Sequence, residues 1–214
     1  IVNAYQANLR TRGTGANAGQ ADVLEAYSIY GRQNTSSQEL SRILVKFPTA
    51  GITSDRSAGT IPASGSVNFY LRLYNAKTSK TVPRDFKLIV CAISRSWQEG
   101  DGLDLEGYRD LTNGSTGSNW INASSASAWG RAGGDYLTAS AYPVYTQSFS
   151  TGLEDLEIDV SALVEKWLAG TYSNYGFGIF LTGSDEAHYS GSNPTEGNAV
   201  LGDSGSVLNI PEGA

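Results

Sequence analysis

The sequence predicts an all-β fold, namely a jelly-roll-like antiparallel β-sandwich with one short helix. The composition of 25 Gly and 12 Tyr, with 17% charged residues and no Met, favours strands joined by turns over long helices. About eight apolar runs bounded by turn residues have the spacing of two packed antiparallel sheets. A chain of 214 residues can form one such core, so we expect a single domain.

The strongest strand prediction is residues 67–74, where apolar residues alternate with polar residues and tyrosines. Residues 86–93 form a continuous apolar run, which is typical of a central strand buried on both faces. Weaker strand patterns lie at residues 23–30, 42–47, 142–149, 153–160 and 175–181. The residues that we expect in the core are Phe69, Leu71, Leu73, Leu88, Val90, Ile179 and Leu181.

One segment, residues 161–168, predicts a helix. Leu163, Val164 and Trp167 have helical spacing, Ser161 is suited to the N-cap position, and Gly170 ends the pattern.

The two ends of the chain differ from this central part. Residues 1–22 predict an extended N-terminal arm, residues 23–190 the sandwich, and residues 191–214 a polar C-terminal tail. Both end segments hold few apolar residues, so their ordering entropy predicts that they become fixed only against a partner surface.

Charge and cysteine content exclude several classes of partner and chemistry. A net charge of −6 and scattered basic residues predict no nucleic acid partner and no anionic membrane surface. No apolar stretch has the length of a membrane span. Cys91, the single cysteine, lies in an apolar run and is interpreted as a buried structural thiol.

An apparent serine-protease signal is interpreted as false. The chain begins Ile1-Val2-Asn3 and carries Gly202-Asp203-Ser204-Gly205, as trypsin-like enzymes do. A triad also needs a histidine base, and the only histidine, His188, lies shortly before Ser204, whereas trypsin-like proteases place theirs in the first half of the chain, ahead of the aspartate and well before the serine. We therefore predict no enzyme activity and no catalytic residue, and we predict no cofactor.

Metal binding is weighed on two features. His188 lacks the additional His or Cys ligands of a zinc site. The acidic residues of one loop could bind calcium, although their spacing does not match the calcium-loop motif, and a solvated acidic loop is the favoured interpretation. These residues are Glu99, Asp101, Asp104, Glu106 and Asp110.

The long irregular region 100–131 and its neighbours hold aromatic residues that could contact a glycan or a protein partner. Those predicted are Tyr108, Trp120, Trp129 and Tyr136. For the tryptophans, anchoring in the core is the alternative that we favour, because the large indole usually packs while its N–H finds an acceptor.

Several segments, taken in order, resemble the DNRLRE-type β-sandwich family and its relatives among virion structural proteins of marine tailed phages. The segments are Ser-Arg-Ile-Leu-Val-Lys-Phe at 41–47, the strand 67–74, Ser-Trp-Gln-Glu-Gly at 96–100, Ser-Asn-Trp-Ile-Asn-Ala at 118–123, Trp129, Asp-Val-Ser-Ala-Leu-Val-Glu-Lys-Trp at 159–167 and Asn-Tyr-Gly-Phe-Gly-Ile-Phe-Leu at 174–181.

The resemblance implies a sandwich without an active site on a phage head or tail, or on a secreted or surface protein in cellular relatives. Other virion proteins are the implied partners, and a homo-oligomer is expected. Such relatives continue into a closing strand, whereas this sequence ends in Pro211-Glu212-Gly213-Ala214, so we expect that strand either to be missing from this sequence or to be supplied by another chain. A carbohydrate-binding or adhesion module is the alternative function.

Overall fold

The computed structural model describes residues 2–7, 10–11, 15–31, 37–78, 82–103, 116–186, 189–190 and 198–199. These residues are mostly strands in antiparallel sheets, and the predicted all-β, sandwich-like class is confirmed. The chain divides into two compact units. Unit 1 comprises Ile1–Leu44, Arg95–Asp135 and Ile179–Ala214, and unit 2 comprises Val45–Ser94 and Tyr136–Gly178.

The elements follow one another along the chain. They are β1 (Val2–Ala7), β2 (Arg10–Thr11), β3 (Ser28–Gly31), β4 (Ser37–Val45), α1 (Ala50–Ser57), β5 (Tyr70–Leu73), β6 (Phe86–Ile93), β7 (Asn122–Ser124), β8 (Ser127–Ala128), β9 (Tyr136–Leu137), β10 (Val144–Phe149), β11 (Leu156–Asp159), α2 (Ser161–Leu168), β12 (Phe177–Leu181), β13 (Tyr189–Ser190) and β14 (Asn198–Ala199).

In unit 1, strand β4 pairs antiparallel with both β1 and β3, and β1 also pairs with β2. The segment 1–22, predicted to be an extended arm, therefore contributes two strands instead. Main-chain pairing needs no apolar side chains, which is why composition did not indicate it. The same segment also buries Ala16, Asn17 and Ala18.

In unit 2, the first six residues of β6 pair antiparallel with β10, and its last two residues pair with β9. Strand β5 pairs with β11. The prediction that β6 is buried on both faces throughout is wrong, because only its second half, from Val90 on, is buried. At the start of β6, the rings of Phe86 and Phe149 stack with their centroids 4.9 Å apart. Cys91 is buried, as predicted.

The predicted core is confirmed in part. Leu71, Val90, Ile179 and Leu181 are buried. The other three predicted core residues, Phe69, Leu73 and Leu88, are only partly buried. Each of these lies toward an end of its strand pattern, where fewer neighbours cover the side chain.

Helix α2 has the predicted bounds and buries Leu163, Val164 and Trp167. Its N-cap is Val160 rather than the predicted Ser161. The Ser161 hydroxyl instead accepts the main-chain N–H of Phe69 at 2.8 Å. Asp159 Oδ1 accepts the N–H of Ser161 at 2.9 Å and so supplies an acceptor at the start of the helix.

The expectation of a single helix is wrong, because α1 is a second one. It buries none of its residues, so the sequence holds no apolar stripe that would predict it. A bidentate ion pair fixes it instead: Arg56 donates to Glu165 of α2 at 2.8 and 2.5 Å, and the guanidinium lowers the pKa of that carboxyl. In the part of the chain that the structure describes, no helix is long and apolar enough to cross a membrane.

Candidate functional site

Strand β4 places Arg42 in the interior of unit 1, where only 5% of it is exposed. Its Nε and Nη2 atoms donate to the two oxygens of Glu186 at 2.8 and 2.5 Å, and Nη1 donates to the carbonyl of Gly133 at 3.3 Å. The guanidinium also lies 4.9 Å from the Trp120 ring centroid and 5.0 Å from that of Phe180. We call these five residues the arginine clamp; its buried charges are paired, which is the condition for burying them.

The tryptophans that were predicted to contact a glycan or a partner lie in the interior of unit 1. Trp120 is 0% exposed, and Trp129 is 6% exposed with its Nε1 donating to the carbonyl of Asn119 at 2.8 Å. The prediction of glycan contact is therefore wrong for both, because a buried indole offers no face to a sugar. Core anchoring, the favoured alternative, describes them.

The other two predicted contact residues differ. Tyr136, in β9, is partly buried, and its ring lies so close to Gly178 in unit 2 that a Cβ there would overlap it. Tyr108 lies outside the described residues, so its role stays a prediction.

A second buried polar group, Asn17, joins three segments of unit 1. Its Nδ2 donates to the carbonyls of Glu99 at 2.7 Å and Ser118 at 2.8 Å. Its Oδ1 accepts the N–H groups of Gly19 at 3.0 Å and Gly102 at 2.9 Å. Two donor and two acceptor positions are thus filled, which is the full capacity of an amide side chain.

Glycines surround Asn17 because there is no room for a Cβ. A Cβ on Gly100 or Gly102 would overlap atoms of Asn17, and one on Gly117 would meet both the Asn17 amide and the main chain of Gly100. Gly100 and Gly117 also have φ values of 83° and 89°, which glycine adopts readily. From the sequence, Gly100, Gly102 and Gly117 belong to the irregular region. The signal that could have located the site is an asparagine between two small alanines, at residues 16–18, together with these glycines.

The acidic loop is described only at its start. Glu99 and Asp101 are exposed, and the Thr116 hydroxyl donates to Asp101 Oδ1. Asp104, Glu106 and Asp110 lie outside the described residues, as do His188 and Ser204. No group of three or more His, Cys, Asp or Glu side chains that could hold a metal occurs among the residues with described positions.

The solvent-facing side of the β5–β11 pair in unit 2 carries aromatic and charged side chains. Tyr70 is 49% exposed and Tyr74, just past the end of β5, is 80% exposed. Arg72, on the same side of β5 as Tyr70, lies 5.5 Å from the Tyr70 ring centroid and 3.0 Å from Glu157 Oε1. We call the surface formed by Tyr70, Arg72, Tyr74, Glu157 and Asp159 the tyrosine face.

The pairing of β5 with β11 fixes the positions of the residues on this face. In their antiparallel register Arg72 lies opposite Glu157 and Tyr70 opposite Asp159, while the intervening Leu71 and Ile158 point inward and are buried. Hydrogen bonds from the hydroxyl and N–H of Ser161 lower the pKa of Asp159. The face therefore presents two carboxyl groups and a guanidinium beside two exposed phenol rings.

Comparisons with known proteins identify no relative: no protein-family model, no curated protein and no solved structure matches the chain. The arginine clamp, the Asn17 site and the tyrosine face are thus interpreted on their chemistry alone.

Proposed function

We propose that this chain is a non-enzymatic structural protein of a tailed-phage virion, such as a head decoration or tail-associated protein. In this proposal it acts through contacts between subunits, forms a homo-oligomer and has other capsid or tail proteins as partners. Its location is then the virion, or the cell surface or exterior if the protein is instead a cellular adhesion module.

The observation that supports this proposal most is the use of the buried polar side chains. Among these buried side chains, Arg42 and Glu186 hydrogen bond to each other, Arg42 and Asn17 hydrogen bond to main-chain carbonyls, and the Arg42 guanidinium also stacks on aromatic rings. A catalytic group instead has to reach a substrate atom. The arrangement serves to hold a shape, which is the work of a structural module.

The segments that resemble virion proteins agree with this interpretation. The 41–47 segment contains Arg42 of the arginine clamp, the 118–123 segment contains Trp120, and the 159–167 segment contains most of α2. The resemblance is one of ordered sequence segments, and the virion assignment rests on that resemblance.

Carbohydrate binding is the second candidate. The loop site proposed from the sequence loses Trp120 and Trp129 to the interior of unit 1. The candidate is nevertheless favoured by a different observation, the exposed rings of the tyrosine face.

Mass spectrometry of density-purified particles tests the virion proposal. Antibodies raised against the purified chain would first identify phage preparations that contain it. We expect its peptides to band with the major capsid protein at a constant ratio through successive gradients. Recovery only in particle-free fractions would contradict the proposal, and light scattering of the purified chain would show whether it forms the expected homo-oligomer.

A further inference from the structure

We propose that the tyrosine face binds a neutral oligosaccharide along strand β5. This inference does not depend on whether the chain belongs to a virion, since a virion protein and a cellular adhesion module can both bind a glycan. It replaces the loop predicted from the sequence with a surface on the other unit of the chain.

The spacing of the two rings suits a linear sugar chain. Side chains at alternate positions of a strand share one face, so Tyr70 and Arg72 lie on one side of β5, and Tyr74 comes two residues later, just past the end of the strand. At about 3.3 Å per residue of extended chain, residues 70 and 74 are at most about 13 Å apart, a span of about three linked sugar rings. A ring at each end and a polar group in the middle then match a run of stacked and hydrogen-bonded sugars.

The chemistry of the side chains suits sugars in particular. The apolar C–H face of a pyranose packs on an aromatic ring, and Tyr74, with 80% of its surface exposed, offers more open ring area than a residue that packs in the fold. Arg72 supplies N–H donors and Glu157 supplies carboxylate acceptors for the hydroxyl groups at the rim of the sugar.

Charge selects a neutral glycan over an acidic one. The tyrosine face holds one cation, Arg72, and two anions, Glu157 and Asp159, so its formal charge is −1, and the whole chain carries −6. The one cation is already paired with Glu157 at 3.0 Å. Uronate or sulfate groups would meet a face with a net negative charge, whereas sugar hydroxyl groups can donate to its carboxyl groups.

The face is already organised for binding. Pairing with β11 fixes the main chain of Tyr70 and Arg72, and the Arg72 side chain is held between the Tyr70 ring and Glu157. A ligand therefore finds most of the side chains in position and loses less conformational entropy on binding. A protein partner is the less suitable occupant. It would have to desolvate Arg72, Glu157 and Asp159 together, and the face holds no exposed aliphatic side chain to offset that cost.

An NMR titration of the purified full-length chain tests the inference. The probes are neutral hexasaccharides of β-1,4-linked glucose, xylose, mannose and N-acetylglucosamine, with hexagalacturonate as the acidic control. We expect at least one neutral probe to bind with a millimolar or lower Kd, with shifts concentrated at residues 70–74 and 157–159. Hexagalacturonate should bind at least about tenfold more weakly.

Two variants distinguish stacking of a sugar on this face from nonspecific binding to exposed aromatic side chains. Tyr74→Ala should weaken binding by about tenfold or more, since it removes one stacking ring. Phe47→Ala is the matched control: its ring is 48% exposed, close to the 49% of Tyr70, and it lies outside the face, so binding should not change. Well-dispersed spectra verify that both variants fold.

Three results would overturn the inference. They are no shift at the face with any neutral probe, equal binding of hexagalacturonate, and unchanged binding by Tyr74→Ala. If Tyr74→Ala instead alters the oligomeric state while no sugar binds, the face is a contact between subunits and the glycan inference is wrong. A subunit contact at this face would not contradict the virion proposal. Conversely, absence of the protein from purified particles would not contradict glycan binding at the tyrosine face.

Discussion

The two units differ in the polarity of the side chains that they bury. Among the described residues, all of the buried polar and charged side chains belong to unit 1, and they are Asn17, Ser41, Arg42, Ser118, Asn119 and Glu186. The buried side chains of unit 2 are apolar, with Leu163, Val90 and Ile93 among the most enclosed.

The difference follows from which partners hydrogen bond to the main-chain N–H and C=O groups in each unit. Unit 2 pairs β6 with β10 over six consecutive residue pairs, so its strands provide each other's hydrogen bonds and the side chains need only be apolar. Unit 1 encloses irregular segments between residues 95 and 135, where the regular strands β7 and β8 are three and two residues long. Main-chain groups buried there require side-chain partners, which Asn17, Arg42 and Asn119 provide.

The largest effect should come from breaking the arginine clamp. Arg42→Met removes the cation but leaves the Glu186 carboxylate buried, and we expect a loss of about 3 to 5 kcal/mol in the free energy of unfolding. The double variant Arg42→Met/Glu186→Leu should recover much of that loss, because no unpaired charge remains. Urea denaturation measures both. A double variant as unstable as the single one would show that the clamp acts through something other than its charges.

The apolar interior of unit 2 should respond differently. Leu163→Ala in α2 empties a site that is 0% exposed, so we expect a loss of about 2 to 5 kcal/mol from lost transfer free energy and a residual cavity. Leu153→Ala, at a side chain that is 66% exposed, is the matched control and should cost less than about 0.5 kcal/mol. Equal melting temperatures for the two variants would contradict the assignment of α2 to a packed interior.

Removing the amide of Asn17 tests whether unit 1 depends on side-chain partners for its main chain. Asn17→Ala leaves the Gly102 N–H and the Glu99 and Ser118 carbonyls without their partner, and we expect a loss of about 2 to 3 kcal/mol. Amide hydrogen exchange at Gly102 should accelerate as well. Asn68→Ala, at an exposed asparagine, should change neither quantity. Slow exchange at Gly102 in the Asn17 variant would mean that another group protects it.

The same contrast explains which features the sequence could predict. Residues 86–93 and 161–168 were predicted with the bounds that β6 and α2 have, because a local apolar pattern produces both elements. Helix α1 was missed because its stabilising contact, Arg56 with Glu165, joins residues 109 positions apart. The Asn17 site was missed for the same reason, since Asn17 and Ser118 are 101 positions apart. Polar pairs between distant residues have no helical or strand periodicity, so a search for local apolar patterns does not detect them.

At the tryptophans, residue type favoured burial, but it could not identify the groups that they contact. Trp120 and Trp129 lie in a Gly- and Ser-rich segment that has the composition of a surface loop. Arg42 stacks on the Trp120 ring, and the Asn119 carbonyl accepts the indole N–H of Trp129. Arg42 lies far from Trp120 along the chain, so no local pattern in the sequence indicates that contact.

The smallest effect concerns the turn after β10, where Glu154 accepts N–H groups of Ser150 and Thr151 at 3.0 and 2.9 Å. The hydrogen bond from Thr151 is the main cause that lowers the pKa of Glu154 from 4.5 to about 2. A lowered folded-state pKa stabilises the fold fully above about pH 4.5, and this contribution is lost as the pH falls toward 2. Wild type should therefore exceed Glu154→Gln in urea midpoint at pH 6, and the difference should shrink between pH 4.5 and 2. A difference that does not change with pH would mean that the carboxylate charge of Glu154 contributes nothing to the stability of the turn.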